Sequence, residues 1–447
     1  MLITEQDINK GYKPVQKFFI QTFGCQMNVY DGQRIAAMLE KHGMTQTDSV
    51  EDADLIILNT CAVREKATNK VYSALGRIRA TKKKSALFGI VGCVAREYGG
   101  NAFKRIPELN FVLGPQSYHK LPEIIKNPDT KLLNIDMSGL EKFDELPQIT
   151  KSPVVAYIPI QEGCNHCCTY CIVPYTRGRE LSRPFSDIIA DTINAAKTGA
   201  IEICFLGQNV NGYKYTDENG KMYRLSDLIH EAAQRPEIHR IRFTSSYPTE
   251  MSDDLIDMFR TEPKLLPFLN MPIQSGSPRI LKKMNRPDDI DAYKTIVQKL
   301  KKACPDIQIS SDFIVGFPDE NDEDFEQTLD IAREIKYINS YSFKYSPRPH
   351  TAAALMQNQI SEQIKSVRLQ RLDSQLNENQ REFNMSCVGK EMICLCEGSD
   401  KTGRNLVFRT PYMQQCIVEN PNEQISPLQK IKITDANKAS LRGEIIK

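Results

Sequence analysis

No apolar run in these 447 residues approaches the ~20 residues of a helical membrane span, so no membrane contact is expected. The opening stretch, Met1-Leu2-Ile3-Thr4-Glu5-Gln6-Asp7, lacks the basic and apolar regions of a secretory leader, and a cytoplasmic protein is expected. An excess of charge of one sign is missing too. A net charge of +2 announces no nucleic-acid binder by composition, so any such contact must come from local patches. No internal repeat or low-complexity tract is visible, and a chain of this length should form about two to four domains. An apolar content of 40% and a charged content of 26% are ordinary for a soluble globular protein. Cysteine, by contrast, is abundant. Thirteen of them in a chain without a leader imply a reducing compartment, where thiols serve metals or sit in cores.

The densest group is Gly163-Cys164-Asn165-His166-Cys167-Cys168-Thr169-Tyr170-Cys171, which follows an apolar run at 155–160. Cys164, Cys168 and Cys171 stand at C-x3-C-x2-C spacing. Three thiolates can hold three irons of a cubane and leave the fourth iron open for a substrate or cofactor. A zinc site on Cys164, Cys167, Cys168 and Cys171 is the rival, but tetrahedral zinc usually takes two separated pairs, and here the pairs abut. Four cysteines in eight residues do not readily adopt disulfide geometry. Cys167 reads as a bystander. The loop resembles the signature of the radical S-adenosylmethionine (SAM) superfamily, and Tyr170 before the last cysteine fits it. That resemblance implies a cluster whose open iron binds the methionine end of SAM and whose reduced form cleaves SAM to a 5′-deoxyadenosyl radical.

Upstream, residues 17–24, 53–60 and 85–92 read as strands, with helical stretches near 30–42 and 63–80. This is a βαβα pattern and hence a parallel sheet. Cys25, Cys61 and Cys93 each follow one of these strands at once. Strand C-termini of a parallel sheet share one edge, where ligands bind, so the three cysteines should converge. Three separate core cysteines are the bland alternative, but the repeated placement favours a second three-thiolate site. Residues 116–150 read as connecting structure.

From 154 to 346 the alternation resumes, with strand candidates at 155–162, 201–207, 240–246, 268–274, 308–316 and 339–346. Six β/α units with the cysteine loop after the first strand predict an open or closed parallel barrel whose site lies at the strand C-termini. Polar residues there are candidates to hold SAM: Gln208, Asn209, Ser246, Gln274, Ser275 and Asp312. Arg177 and Arg179 could fix a SAM carboxylate or an RNA phosphate. Residues 358–385 are charged and helix-prone. Beyond them, short strands at 391–396, 405–409, 414–419 and 429–433 predict a small β-barrel or sandwich. Basic residues at Arg77, Arg79, Lys82, Lys83 and Lys84, and at Lys390, Lys401, Arg404 and Arg409, could touch RNA. Solvated faces are the plainer reading. Cys387, Cys394, Cys396, Cys416, Cys204 and Cys304 read as packing residues.

Over nearly its full length the chain resembles the methylthiotransferases. The motifs are Thr22-Phe23-Gly24-Cys25-Gln26-Met27-Asn28, Leu58-Asn59-Thr60-Cys61-Ala62-Val63-Arg64-Glu65-Lys66-Ala67, Val91-Gly92-Cys93-Val94-Ala95, Gly163–Arg183, Pro272–Ser277, Asp312–Pro318 and Tyr345-Ser346-Pro347-Arg348. The resemblance implies an α/β chain in three parts. These are an open parallel α/β sheet domain at 15–135, a partial (β/α)6 radical-SAM core at 150–382, and a small RNA-binding β-barrel of the TRAM type at 383–447. It implies two [4Fe–4S] clusters, on Cys25/Cys61/Cys93 and on Cys164/Cys168/Cys171, and two SAM molecules per turnover. Catalysis would rest with these cofactors and not with a side-chain triad.

The residues around the first two cysteines look like the branch that adds a methylthio group to C2 of N6-isopentenyladenosine, 3′-adjacent to the tRNA anticodon. The alternatives are threonylcarbamoyladenosine, an aspartate of a ribosomal protein, or a non-catalytic iron–sulfur RNA-binding regulator. Implied partners are the tRNA anticodon stem-loop, an electron donor such as a flavodoxin or ferredoxin, and iron–sulfur carrier proteins, with the chain itself a monomer. Three departures from the family pattern stand out: His350 for a glycine, Cys167 for an aromatic, and Tyr247 for a histidine.

Overall fold

The structure, a computed structural model, describes residues 15–62, 65–137, 139, 141–150, 152–420 and 425–446. Val63 and Arg64, inside the second cysteine motif, lie outside the described residues.

Three strands form the heart of the first sheet: β1 (Lys17–Thr22), β3 (Leu55–Thr60) and β4 (Leu87–Gly92). Every residue of β3 and β4 is buried, as expected where a parallel sheet is covered on both faces. The pleat splits β3 between two cores. Leu55 and Ile57 join Phe18, Phe111 and Tyr118, while Ile56 and Leu58 join Phe88, Ile90 and Val112. Helices α1 (Gln26–Lys41), α2 (Glu65–Thr81) and α3 (Cys93–Tyr98) follow these strands in turn. The sheet has six parallel strands, not three, in the order β2-β1-β3-β4-β5-β6. The additions are short: β2 (Thr45–Gln46), β5 (Phe111–Leu113) and β6 (Leu132–Asn134). The stretch 116–150 is therefore more than a connector. It supplies the sixth strand and a short helix, α4 (Glu141–Glu145), whose Lys142 is fully buried.

The second part begins with β7 (Val155–Pro159) and the two-residue β8 (Gln161–Glu162). The cysteine loop follows, then α5 (Val173–Arg177), β9 (Leu181–Ser182) and α6 (Phe185–Lys197). Next come β10 (Glu202–Leu206), the hairpin β11–β12 (Lys214–Thr216, Met222–Arg224), α7 (Leu225–Ala233), β13 (Arg240–Phe243) and α8 (Asp253–Thr261). The wall is completed by β14 (Phe268–Asn270), α9 (Pro278–Lys283), α10 (Ile290–Ala303), β15 (Gln308–Ser310), β16 (Asp312–Val315), α11 (Asp322–Ile335) and β17 (Tyr341–Lys344). Parallel pairing joins β7 to β10, β10 to β13, β14 to β15 and β16 to β17. Single bridges at Ile241–Leu265 and Gln274–Phe313 complete the wall.

The expected fifth strand is broken at Ser311, so its two halves pair with different neighbours. The Ser311 hydroxyl takes over as acceptor for the Ile273 amide, at 3.0 Å. The helix starts follow capping chemistry. Asp289 caps α10, and Asn321 with Asp324 forms a capping box for α11.

Helix α12 (Glu362–Ser386), capped by Ser361, leads into β18 (Glu391–Ser399), β19 (Asn405–Arg409), β20 (Gln415–Glu419), β21 (Leu428–Ala436) and β22 (Leu441–Ile445). These close into a barrel in the order β18-β19-β20-β22-β21. The last strand was absent from the sequence reading, and its parallel pairing with β20 makes this a barrel and not a sandwich. Cys387, Cys394 and Cys416 are buried in its core. Arg240 of β13 ties it to the central part, donating to the carbonyls of Arg409 (2.9 Å) and Thr410 (3.1 Å).

Candidate functional site

Two cysteine groups lie where the first sheet meets the barrel. Cys25 is the N-cap of α1, Cys61 follows β3, and Cys93 opens α3. Glycines allow the approach. At Gly24, φ is +108°, and a Cβ built there would stand 2.1 Å from the Cys61 Cβ. At Gly92, φ is +90°, and a Cβ would stand 2.6 Å from the Thr60 carbonyl. A hydrogen bond from Cys61 and the Arg177 cation outweigh burial and draw the Cys25 thiol down to about 6, whereas burial pushes Cys93 up.

Cys164, Cys168 and Cys171 occupy the loop after β8. Gly163 starts the loop at φ +77°, so close to Arg179 that a Cβ would stand 2.0 Å from its carbonyl oxygen. Its amide donates to the Gln208 side chain at 2.6 Å. The Cys171 amide donates to the Cys168 carbonyl (3.0 Å), and the Thr169 amide to Met284 (2.9 Å). Burial pushes Cys164 and Cys171 up to about 12, so metal binding must displace their protons. All thirteen cysteines are free thiols. Among the described residues no three His, Cys, Asp or Glu converge on one point as a single metal ion would require. A cubane asks for something else, one thiolate per iron around a cluster.

The barrel mouth around this loop holds buried polar atoms with no hydrogen-bond partner among the described residues. They are both amide atoms of Gln161, Oδ1 of Asn209, Oγ of Ser246 and the hydroxyl of Tyr247. Their residues are at most 6% exposed. Each such atom costs about 1–3 kcal/mol unless something binds it, so the donor set fits a polar ligand. Ser245 and Gln274, at the ends of two barrel strands, adopt φ of +64° and +75°, strain that clusters at functional sites. Tyr247 stacks on His166, with ring centroids 3.7 Å apart and planes at 4°. The Arg286 guanidinium lies 4.4 Å from the Tyr247 ring centroid. His166 and Asn209 both reach Glu250, at 3.1 and 2.8 Å.

The remaining candidates are placed as follows. Tyr170 packs among Ile280, Met284, Phe317 and Tyr345, its hydroxyl 3.3 Å from Arg286. Ser275 is buried and accepts from the Ser277 amide at 3.2 Å. Gln274 and Asp312 sit at the junction of β14 and β16, where the Gln274 amide donates to the Asp312 carbonyl at 3.0 Å. Arg177 is turned away from the mouth toward Cys25 and Cys93. It is 3% exposed and held by Glu162 at 2.5 Å, Asn28 at 3.1 Å and Asp31 at 3.4 Å. These three partners engage both terminal nitrogens of its guanidinium. The sequence reading missed Gln161, Asn28, Asp31, Glu162 and Lys142. Gln161 and Glu162 carried a signal, as polar residues at the end of the first barrel strand, and Asn28 stands in the first cysteine motif.

The class follows from this geometry together with sequence matches. The model of the radical SAM superfamily matches residues 158–332, and an uncharacterized protein family, UPF0004, matches 17–114. A structure of a radical SAM methyltransferase, TsrM from Kitasatospora setae, with cobalamin and a [4Fe-4S] cluster bound, is similar in fold. Its TM-score is 0.56 at 11% identity, covering 76% of this chain and 77% of that one. The chain is thus a radical SAM enzyme, a class that uses a [4Fe–4S] cluster and SAM. Tighter relatives are proteins named tRNA-2-methylthio-N(6)-dimethylallyladenosine synthase. Those of Rickettsia conorii and Rickettsia felis are each 46% identical over 96% of this chain and 100% of theirs. The chain belongs to that family.

Proposed function

We propose that this chain transfers a methylthio group to C2 of N6-isopentenyladenosine beside the tRNA anticodon, using two [4Fe–4S] clusters and two SAM molecules. Membership of the synthase family at 46% identity supports the reaction. The observation that carries the mechanism is the pair of cysteine triads meeting at one interface, where Cys93 packs against Ile172 of the cysteine loop.

Cys164, Cys168 and Cys171 would hold one cluster, and Cys25, Cys61 and Cys93 the other. Bound there, the clusters supply what side chains cannot: an electron to cleave SAM at one site, and sulfur to transfer at the other. The C2 hydrogen of adenine is not acidic, so no side chain acts as its general base. The chain's own residues bind and orient. Gln208 fixes the start of the cysteine loop through the Gly163 amide. Gln161, Asn209, Ser246 and Tyr247 offer unpaired polar atoms to SAM, with Gln274, Ser275, Asp312 and Tyr170 lining the same end of the barrel.

The labour divides among parts at 15–135, 150–382 and 383–447. On the last, Lys390, Lys401 and Arg404 are exposed and suited to phosphates, whereas Arg409 is paired with Glu397 at 2.6 Å. A flavodoxin- or ferredoxin-like donor, iron–sulfur carriers and a cytoplasmic setting complete this reading. Among the described residues no helix is long and apolar enough to cross a membrane. Mass spectrometry of tRNA nucleosides from cells with and without the chain tests it. Loss of the 2-methylthio nucleoside, with accumulation of its unthiolated precursor, is expected. An unchanged nucleoside profile refutes the assignment.

A further inference from the structure

Between the two triads lies a closed ring of buried charge. Arg177 contacts Glu162 (2.5 Å) and Asp31 (3.4 Å), and Lys142 contacts the same two carboxylates at 2.6 and 3.2 Å. All four side chains are at most 3% exposed. They come from α1, α4, β8 and α5, so the ring joins the N-terminal sheet and its following helix to the central part. A buried pair is weak evidence for stability, because desolvation offsets the attraction. The position of this ring calls for a further reason.

The cysteines supply one. Asn28 Oδ1 accepts from Arg177 at 3.1 Å and from the Cys25 thiol at 3.6 Å. The Arg177 charge acts on Cys93 as well as on Cys25. Ile172, next to Cys171, packs with Cys93 and Ala62, and Gln116 of the first part donates to the Arg177 carbonyl at 3.3 Å. The short helix α5 thus starts beside the last cysteine of one triad and ends in a cation facing the other. The ring is neutral without metal, with two carboxylates against two cations. A cubane on three thiolates is net negative, and reduction adds to that charge. In a dry interface such a charge needs a nearby cation.

We propose that Arg177 is the buried cation of the Cys25/Cys61/Cys93 site: it stabilises the charge of the cluster held there and raises its reduction potential. This deepens the two-cluster reading above and rests on it. Arg177 contacts no substrate in this proposal; it acts by position and charge.

The test uses full-length protein with Cys164, Cys168 and Cys171 replaced by Ala, so that one cluster remains. Iron content and a potentiometric titration followed by electron paramagnetic resonance are the readouts. With Arg177→Gln added, the midpoint should move negative by at least ~59 mV, a tenfold shift against the reduced cluster. With Arg177→Lys it should stay near the parent value. No iron in the parent would sink the two-cluster reading itself. A full cluster with an unchanged midpoint in Arg177→Gln would sink only this proposal. Should Arg177→Gln fail to fold or to hold iron, Arg177→Lys decides: recovery of cluster and midpoint supports charge, and failure to recover overturns it. In protein with all cysteines intact, Arg177→Gln should bind SAM as tightly as the parent. Loss of SAM binding would return Arg177 to the SAM pocket and overturn the proposal.

Discussion

Gly24 shows how one missing side chain can govern the approach of two cysteines. Its φ of +108° and the 2.1 Å separation a Cβ would have from Cys61 leave no room for alanine. Gly24→Ala should push Cys25 and Cys61 apart and weaken the fold by about 1–3 kcal/mol. We expect the reconstituted variant to lose about half its iron, the share of one of two cubanes, and to keep the cluster of the barrel loop. Retention of full iron would mean that this approach of Cys25 to Cys61 is dispensable. The cysteine positions were legible because spacing and strand ends are local signals. The partners of Arg177 were not, although it lies six residues beyond Cys171. Its adjacency to the loop pointed to SAM, while its partners Asn28 and Asp31 are 149 and 146 residues away. Gln161 stood out only as a polar strand end and Tyr247 only as a departure from the family pattern. Their meaning lies in unpaired atoms, which only packing reveals.

Long buried strands announced themselves and short edge strands did not. β3 and β4 are continuous apolar runs with turn signals on both sides. In contrast, β6 is three half-exposed or exposed residues, and β22 alternates buried Leu441 and Gly443 with exposed Arg442 and Glu444, too short a pattern to read. The strand pair β10–β13 makes a sharper prediction. Glu202 is buried and accepts from Arg240 (2.7 Å) and Arg242 (2.6 Å). Burial alone would raise its carboxyl, but Arg242 and Arg240 prevail and hold it below its ordinary 4.5. A depressed folded value means that the stabilisation is fully present above the ordinary value and is lost as pH falls through the folded one. Glu202→Gln should leave two buried guanidinium groups short of charge and cost about 3–5 kcal/mol at neutral pH. It should also flatten the acid limb of the stability profile. Urea unfolding of parent and variant across pH 3–7, a range that brackets the ordinary carboxyl value, would show this. Equal midpoints at neutral pH would count against it.

Three architectures in one chain raise the question of how work is divided among them. The C-terminal barrel carries its own core and contributes none of the six cysteines proposed as ligands. Deleting it from Asn384 should weaken tRNA binding in a salt-dependent way, because lost phosphate contacts release fewer counterions. Reductive SAM cleavage without tRNA should persist. Unchanged tRNA affinity after truncation would remove the barrel from the RNA-binding role.

The division between the triads is open to a stricter comparison. Cys25, Cys61 and Cys93 stand on a sheet with none of the barrel-mouth polar atoms, whereas Cys164, Cys168 and Cys171 stand among them. Protein with the first three replaced by Ala should hold about four irons, one cubane of the expected two. It should still convert SAM to 5′-deoxyadenosine under reducing conditions, yet form no methylthiolated tRNA, since nothing remains to carry the sulfur. Protein with the other three replaced should hold a similar amount of iron and make no 5′-deoxyadenosine. Methylthiolated tRNA from the first variant, or 5′-deoxyadenosine from the second, would reverse the assignment. The second variant is also the background in which the Arg177 charge is read, so both claims stand on the same preparation. They separate there, because iron content reports whether the N-terminal thiols bind a cluster, and the midpoint reports what the neighbouring cation does to it.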